Sequence, residues 1–231
     1  MSQAPFYVSP EQLMKDRADF ARKGIARGRS VVVLRYDEGI LLLAENPSPT
    51  LHKIAEIYDR IGFAAVGKYN EFETMRQAGV RYADLRGYSY HRSDVTARGL
   101  TNAYAQTLAG VFTTESKPFE VELVVAELGL TADTDQLYRL SYDGSVIDET
   151  EHVAIGGQAD AITATLKDLR TSVMPLSEVF DHGVRALATA TSGTLATKDL
   201  EAAVLDRNAS GHRTFKRLSD ALMVSLREDE D

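Results

Sequence analysis

The residues able to do chemistry are poorly spaced for it. The five histidines are His52, His91, His152, His182 and His212, and no two stand three or four positions apart. No H-E-x-x-H occurs, so the helix-face pair that holds a catalytic zinc is not expected. The chain has no cysteine, which excludes disulfides and thiolate metal sites. It has no G-x-S-x-G turn to present a nucleophilic serine and no Walker A loop to cradle phosphates. Gly156-Gly157 lacks the other glycines of a dinucleotide loop and reads as a turn between a strand and a helix. The carboxylate pairs Glu71/Glu73 and Asp133/Asp135 fall at a helix start and in a loop, where a solvated face is expected. Hydroxyls are abundant, but the sequence gives none of them a base. No cofactor and no metal are expected.

The elements that would position any site belong to an ordinary soluble chain. Its 231 residues suffice for one layered domain with a large core. A hydrophobic fraction of 44% and a charged fraction of 26% are typical of globular proteins. The net charge of −8 argues against bulk attraction to nucleic acid or an anionic membrane. No apolar run is long enough for a membrane span. Met1 to Ser9 lacks a basic start and an apolar core, so a signal peptide is not expected. A cytoplasmic location fits the missing cysteine. Charge is uneven along the chain. Lys15, Arg17, Arg22, Lys23, Arg27 and Arg29 make a basic head, and Glu228 to Asp231 make an acidic tail.

Ser9-Pro10-Glu11-Gln12 predicts a capped helix start, with Gln12 completing a capping box. Its weakly apolar face suits a surface helix. Ser30 to Tyr36 and Ile40 to Ala44 read as a hairpin turning at Asp37-Glu38-Gly39. Two more short strands follow at Ile54 to Ile57 and Ile61 to Val66. The period then becomes helical over Tyr69 to Leu85. A second helix, begun by Ser93-Asp94, runs over Thr96 to Phe112. Strands resume at Phe119 to Glu127, Leu137 to Tyr142, Val146 to Asp148 and Val153 to Ile155, the middle pair turning at Asp143-Gly144. Helices over Ala159 to Leu169 and Ser177 to Ala190, two strands, and a helix near Asp220 to Arg227 complete the chain. Runs of strands between helix pairs predict segregated layers, two sheets between two layers of helices. Strands apolar on both faces agree with that. Thr189 to Thr197 is the best candidate for a mobile loop.

Several short motifs have a telling order. Ser9-Pro10, Phe20-Ala21-Arg22 and Gly28-Arg29-Ser30 open the chain. Glu45-Asn46-Pro47-Ser48, His52-Lys53-Ile54, Gly62-Phe63-Ala64-Ala65 and Tyr142-Asp143-Gly144 follow. In this order and spacing they resemble the α-type subunits of the proteasome (20S) core particle, over nearly the whole chain. The run Phe20 to Arg27 is similar to the actinobacterial form. The resemblance implies an α+β Ntn-hydrolase fold, a four-layer αββα sandwich with an extra N-terminal helix. It implies one domain over 1–231, with a gate segment at 1–8, the extra helix at 9–24 and the acidic tail at 228–231. It also implies a non-catalytic subunit of a homo-heptameric outer ring, flanking rings of catalytic β subunits. Unfolded proteins would pass through, and a ring-shaped ATPase or other activator would dock by its C-terminal tails.

The family's β subunits use an N-terminal threonine at the start of the first strand. The corresponding place here is near Gly28-Arg29-Ser30, which follows a capped helix and holds no Gly-Thr junction. Pro5, Phe6, Tyr7 and Val8 match the gate, bulky enough to plug a channel where copies converge. Lys53 matches the lysine that receives an activator's terminal carboxylate, which an ammonium suits as a point charge. Lys15, Arg22 and Lys23 could attract acidic tails, and Lys117-Pro118-Phe119 matches a structural lead into a strand. The chain departs from the archaeal pattern at Phe20, where a tyrosine hydroxyl is lost, and at Asp19, where glutamate is usual. An open-gate cluster built on those groups cannot form in the same way. Two other readings stand beside this one. The first is an Ntn hydrolase with its own nucleophile, such as Ser30 freed by processing. The second is a small-molecule-binding sandwich that stays monomeric or dimeric.

Overall fold

The computed structural model describes residues 9–191 and 193–228. The first helix, α1 (Pro10–Ile25), begins as its sequence requires: Ser9 Oγ accepts from the Gln12 amide at 3.2 Å, and Pro10 fills the first turn. Only half of the expected capping box forms. The Gln12 side chain donates instead to Asp16 Oδ1 at 2.7 Å, one turn further on.

The strands build two five-stranded antiparallel sheets. One takes β1 (Val31–Tyr36), β2 (Gly39–Glu45), β8 (His152–Ile155), β9 (Leu200–Asp206) and β10 (Phe215–Arg217), in the order β10-β9-β2-β1-β8. The other takes β3 (Ile54–Tyr58), β4 (Ile61–Gly67), β5 (Val121–Glu127), β6 (Gln136–Leu140) and β7 (Val146–Glu149), in chain order. Helices α2 (Tyr69–Ser89) and α3 (Ala97–Thr114) cover the second sheet. Helices α4 (Ala159–Leu166), α5 (Leu176–Thr191) and α6 (Asp220–Glu228) cover the first. This is the four-layer α+β sandwich expected. Among the described residues, no helix is long and apolar enough to cross a membrane.

Alternation along the central strands explains the layers. In β1, Val31 and Val33 face the other sheet, while Val32 and Leu34 face the helices. β2 divides likewise, Ile40 and Leu42 against Leu41 and Leu43. Each of these side chains is fully buried, contributing roughly 1.5–3 kcal/mol apiece.

Helix α1 is more than a surface helix. Its outer face is exposed at Leu13, Met14 and Phe20, but Ala21 and Ile25 insert into the cluster between the two sheets. Arg17 donates to the Phe112 carbonyl at 2.8 Å, and the Arg22 guanidinium lies 5.8 Å from the Tyr142 ring centre. The helix therefore closes one end of the sandwich.

Some local expectations need correction. Ser93-Asp94 does not start α3 but sits in a single 3-10 turn, Arg92–Asp94; the cap is Thr96, whose Oγ1 accepts from Gly99 at 3.1 Å. Glu71 is not solvated: it is buried and takes the Lys117 ammonium at 2.7 Å and the Glu120 amide at 2.6 Å. Lys117-Pro118 thus clamps the start of α2 to the lead into β5. The Asp135 side chain is also buried, paired with Arg207 at 2.8 Å. A carboxylate this far from water persists only with partners, which the sequence supplies from distant positions. Within 189–197, α5 continues as far as Thr191.

Candidate functional site

Lys53 is carried by the segment 46–53 between β2 and β3. That segment is short, proline-containing and tightly held. Asn46 is buried; its amide donates to the Leu51 carbonyl at 2.8 Å, and its side-chain oxygen accepts from the Ser48 amide at 3.1 Å. These bonds fold the segment back on itself, as a side-chain-stabilised turn does.

The half-buried Lys53 side chain reaches towards the start of β1. Its Nζ donates to the backbone carbonyl of Arg29 at 2.6 Å. The Arg29 guanidinium is paired with Glu45 Oε1 at 2.5 Å. Burial, the largest cause, helps to lower the Lys53 pKa to about 8; Glu45 opposes it, the Arg29 charge adds to it, and Glu201 opposes both. An ammonium in this state is short of solvent and has donors left over, which suits it to an incoming carboxylate.

Glu201, from β9, lies beneath the segment. It accepts from the Lys53 amide at 2.9 Å, the Asn46 side chain at 2.7 Å and Arg217 at 2.7 Å, and it faces His52 Nδ1 at 3.2 Å. Sequence reasoning missed it. The available signal was an acid at the second position of the strand Leu200–Asp206, followed by four apolar residues.

The place where an N-terminal nucleophile would stand is closed. Ser30 is 4% exposed and follows directly on α1 and its short link. That link passes close over Gly156-Gly157: a Cβ on Gly157 would lie 2.4 Å from the Ala26 carbonyl oxygen, and one on Gly156 3.1 Å from Ser30 Cα. Gly156 also has φ +107°. The double glycine is a strand-to-helix turn, as expected, and both glycines are needed to let the link pass. Among the described residues, no cluster of His, Asp and Glu could hold a metal ion.

The remaining candidates are dispersed. Pro5, Phe6, Tyr7 and Val8 lie outside the described residues, as do Asp229 to Asp231 of the acidic tail. On α1, Lys15 and Lys23 are exposed, while Arg22 is 3.4 Å from Asp19 and stacks on Tyr142. Phe20, without a hydroxyl, receives the Lys117 ammonium over its ring at 5.4 Å.

Comparison with known proteins identifies the family. The sequence model of the family described as "Proteasome subunit" matches residues 25–205. "Proteasome subunit alpha" of Thermomonospora curvata is 66% identical over 215 residues, 93% of each chain. That of Xylanimonas cellulosilytica is also 66% identical, over 95% of this chain and 94% of its own. That of Kineococcus radiotolerans is 62% identical, over 96% and 97%. The chain belongs to the proteasome family, as a bacterial α-type subunit. Proteasome membership accounts for the sandwich, and the matches to the α-type relatives span α1 as well as the sheets.

Proposed function

We propose that this proteasome subunit is non-catalytic and forms a homo-heptameric outer ring as one domain over 1–231. It gates the passage of unfolded proteins towards partner β subunits. The observation that carries the reading is the continuity of the chain through α1 into β1. Ala21 and Ile25 are built into the core between the sheets, so α1 is not a disposable leader. Processing at Gly28 would remove those core contacts. The Ser30 amine is an amide and its side chain is buried, which supports neither of the two groups an N-terminal nucleophile needs.

Lys53 then serves as the receptor for an activator's chain terminus. Its site lies in the segment between β2 and β3 and touches, through Arg29, the link that leads back to α1. Pro5, Phe6, Tyr7 and Val8, which precede α1, form the gate in this reading. A ring-shaped ATPase docking at Lys53 would act on that gate through the same link. The particle works in the cytoplasm, without cofactor or metal.

The reading is tested by where hydrolysis comes from. In a particle reassembled with its β subunit, disabling the β chain's N-terminal threonine removes all peptidase activity. Residual hydrolysis that disappears on Ser30→Ala would instead support a nucleophile in this chain.

A further inference from the structure

We propose that Glu201 is the positioning residue of the docking site: from β9, its buried carboxylate fixes the segment that presents Lys53. This rests on the reading of Lys53 as the receptor for an activator's terminal carboxylate.

Strand β9 is otherwise a core strand, with Leu200, Ala202, Ala203, Val204 and Leu205 all buried. Glu201 sits among them at 9% exposure. A carboxylate there is costly unless it is fully hydrogen-bonded, and an apolar side chain would serve the sheet at least as well. Its partners show what it serves instead. Oε2 accepts from Asn46 Nδ2 at 2.7 Å and from the Lys53 amide at 2.9 Å. Oε1 accepts from Arg217 at 2.7 Å and from the Ile54 amide at 3.3 Å, and it stands 3.2 Å from His52 Nδ1. Asn46, at one end of the segment, and His52, Lys53 and Ile54, at the other, meet on one side chain.

The geometry has a direct consequence for the ammonium. With the Lys53 backbone amide held by Glu201 and its Nζ held by the Arg29 carbonyl, the flexible stem is fixed at both ends. A ligand that meets a preordered ammonium does not have to supply the ordering entropy. The charged groups around Lys53 come from every neighbouring element: Glu45 from β2, Arg29 before β1, Glu201 from β9, His52 in its own segment, and Arg217 from β10 by way of Glu201. Glu201 therefore acts on Lys53 in two ways, by position and by charge, and the negative charge favours the protonated ammonium.

The test uses the α–β particle and a synthetic peptide copying the last residues of the ring ATPase from the same organism, as free acid and as C-terminal amide. Glu201→Gln should retain the native mass of the particle. It should weaken binding of the free acid by about tenfold or more, the scale of the loss when an orienting partner is removed at a metal site. The pH at which binding is half lost should also move down, which a purely structural role would not cause. Asn46→Ala, which keeps the charge and removes one staple, should weaken binding and leave that pH unmoved. Assembled Glu201→Gln particles that bind the free acid as tightly as the parent, with an unmoved pH midpoint, would overturn the proposal. If Glu201→Gln does not assemble, undiminished binding by Asn46→Ala would overturn it. Undiminished binding by Lys53→Ala, or equal binding of the amide, would instead sink the docking reading on which the proposal rests.

Discussion

The Lys53 ammonium donates to the backbone carbonyl of Arg29 at 2.6 Å, tying the segment between β2 and β3 to the link between α1 and β1. In the proposed docking, a carboxylate arriving at Lys53 would compete with that carbonyl. A shift there would be felt first at Arg29, whose guanidinium is held by Glu45, and then along a link packed over Gly156-Gly157. Lys53 and the link that follows α1 are thus one hydrogen bond apart. This relationship gives the mutational predictions their direction.

Lys53→Ala removes the Nζ that donates to the Arg29 carbonyl and, in the proposed docking, would offer its charge to the ligand. Ring assembly should be retained, because the backbone bonds to Glu201 remain. Stimulation of peptide hydrolysis by a tail-bearing ATPase should be abolished. Native mass and stimulated hydrolysis read the two effects separately, and undiminished stimulation would remove Lys53 from the docking site.

Activator docking should weaken as pH rises through about 8, the value to which burial lowers the Lys53 pKa. Below it the ammonium is charged; above it the charge is lost. Stability should respond with the opposite sign. The unfolded chain holds this proton up to the usual lysine range, so between about pH 8 and that range the group's contribution to stability rises with pH. Docking that falls while the melting temperature holds or rises would separate this titration from alkaline unfolding. Docking unchanged from pH 7 to 9 would contradict it.

Deleting 1–8, the segment that contains Pro5, Phe6, Tyr7 and Val8, should raise peptide hydrolysis by the assembled particle without an activator. The deletion stops short of Ser9, whose side chain caps α1, so the helix keeps its start. Hydrolysis no faster than that of the intact particle would mean that these residues are not the barrier.

Ile25→Ala tests whether α1 is part of the core. Ile25 is 7% exposed and packs between the sheets, so its truncation should cost about 2–4 kcal/mol. Thermal unfolding should move down by several degrees, and proteolysis between Arg22 and Arg29 should become faster. An unchanged melting temperature would make α1 an appendage, as the surface-helix expectation had it.

Much of this was legible in the sequence because local rules governed it. The cap at Ser9-Pro10, the β-branched runs of β1 and β2, and the helical periods of α2 and α3 appear where their residues predict them. Strands apolar on both faces correctly implied a sheet-on-sheet interior. What escaped depended on distant pairing. Glu71 and Asp135 look solvated until Lys117 and Arg207 are placed beside them. Ser93-Asp94 looks like a helix start until Thr96 takes the cap. Lys53 was found by resemblance, but Glu201 was not. Its partners come from residues 46–54 and from Arg217, and only the pairing of β9 with β2 and β10 brings them together.

The most direct test of the central claim is the native mass of the purified chain, alone and after mixing with a β-type subunit from the same cell, with peptidase activity followed in both. The account predicts no activity alone, and a particle of about twenty-eight subunits that gains activity only with the β chain. A monomer or dimer unchanged by the β chain, or activity in the chain by itself, would contradict it.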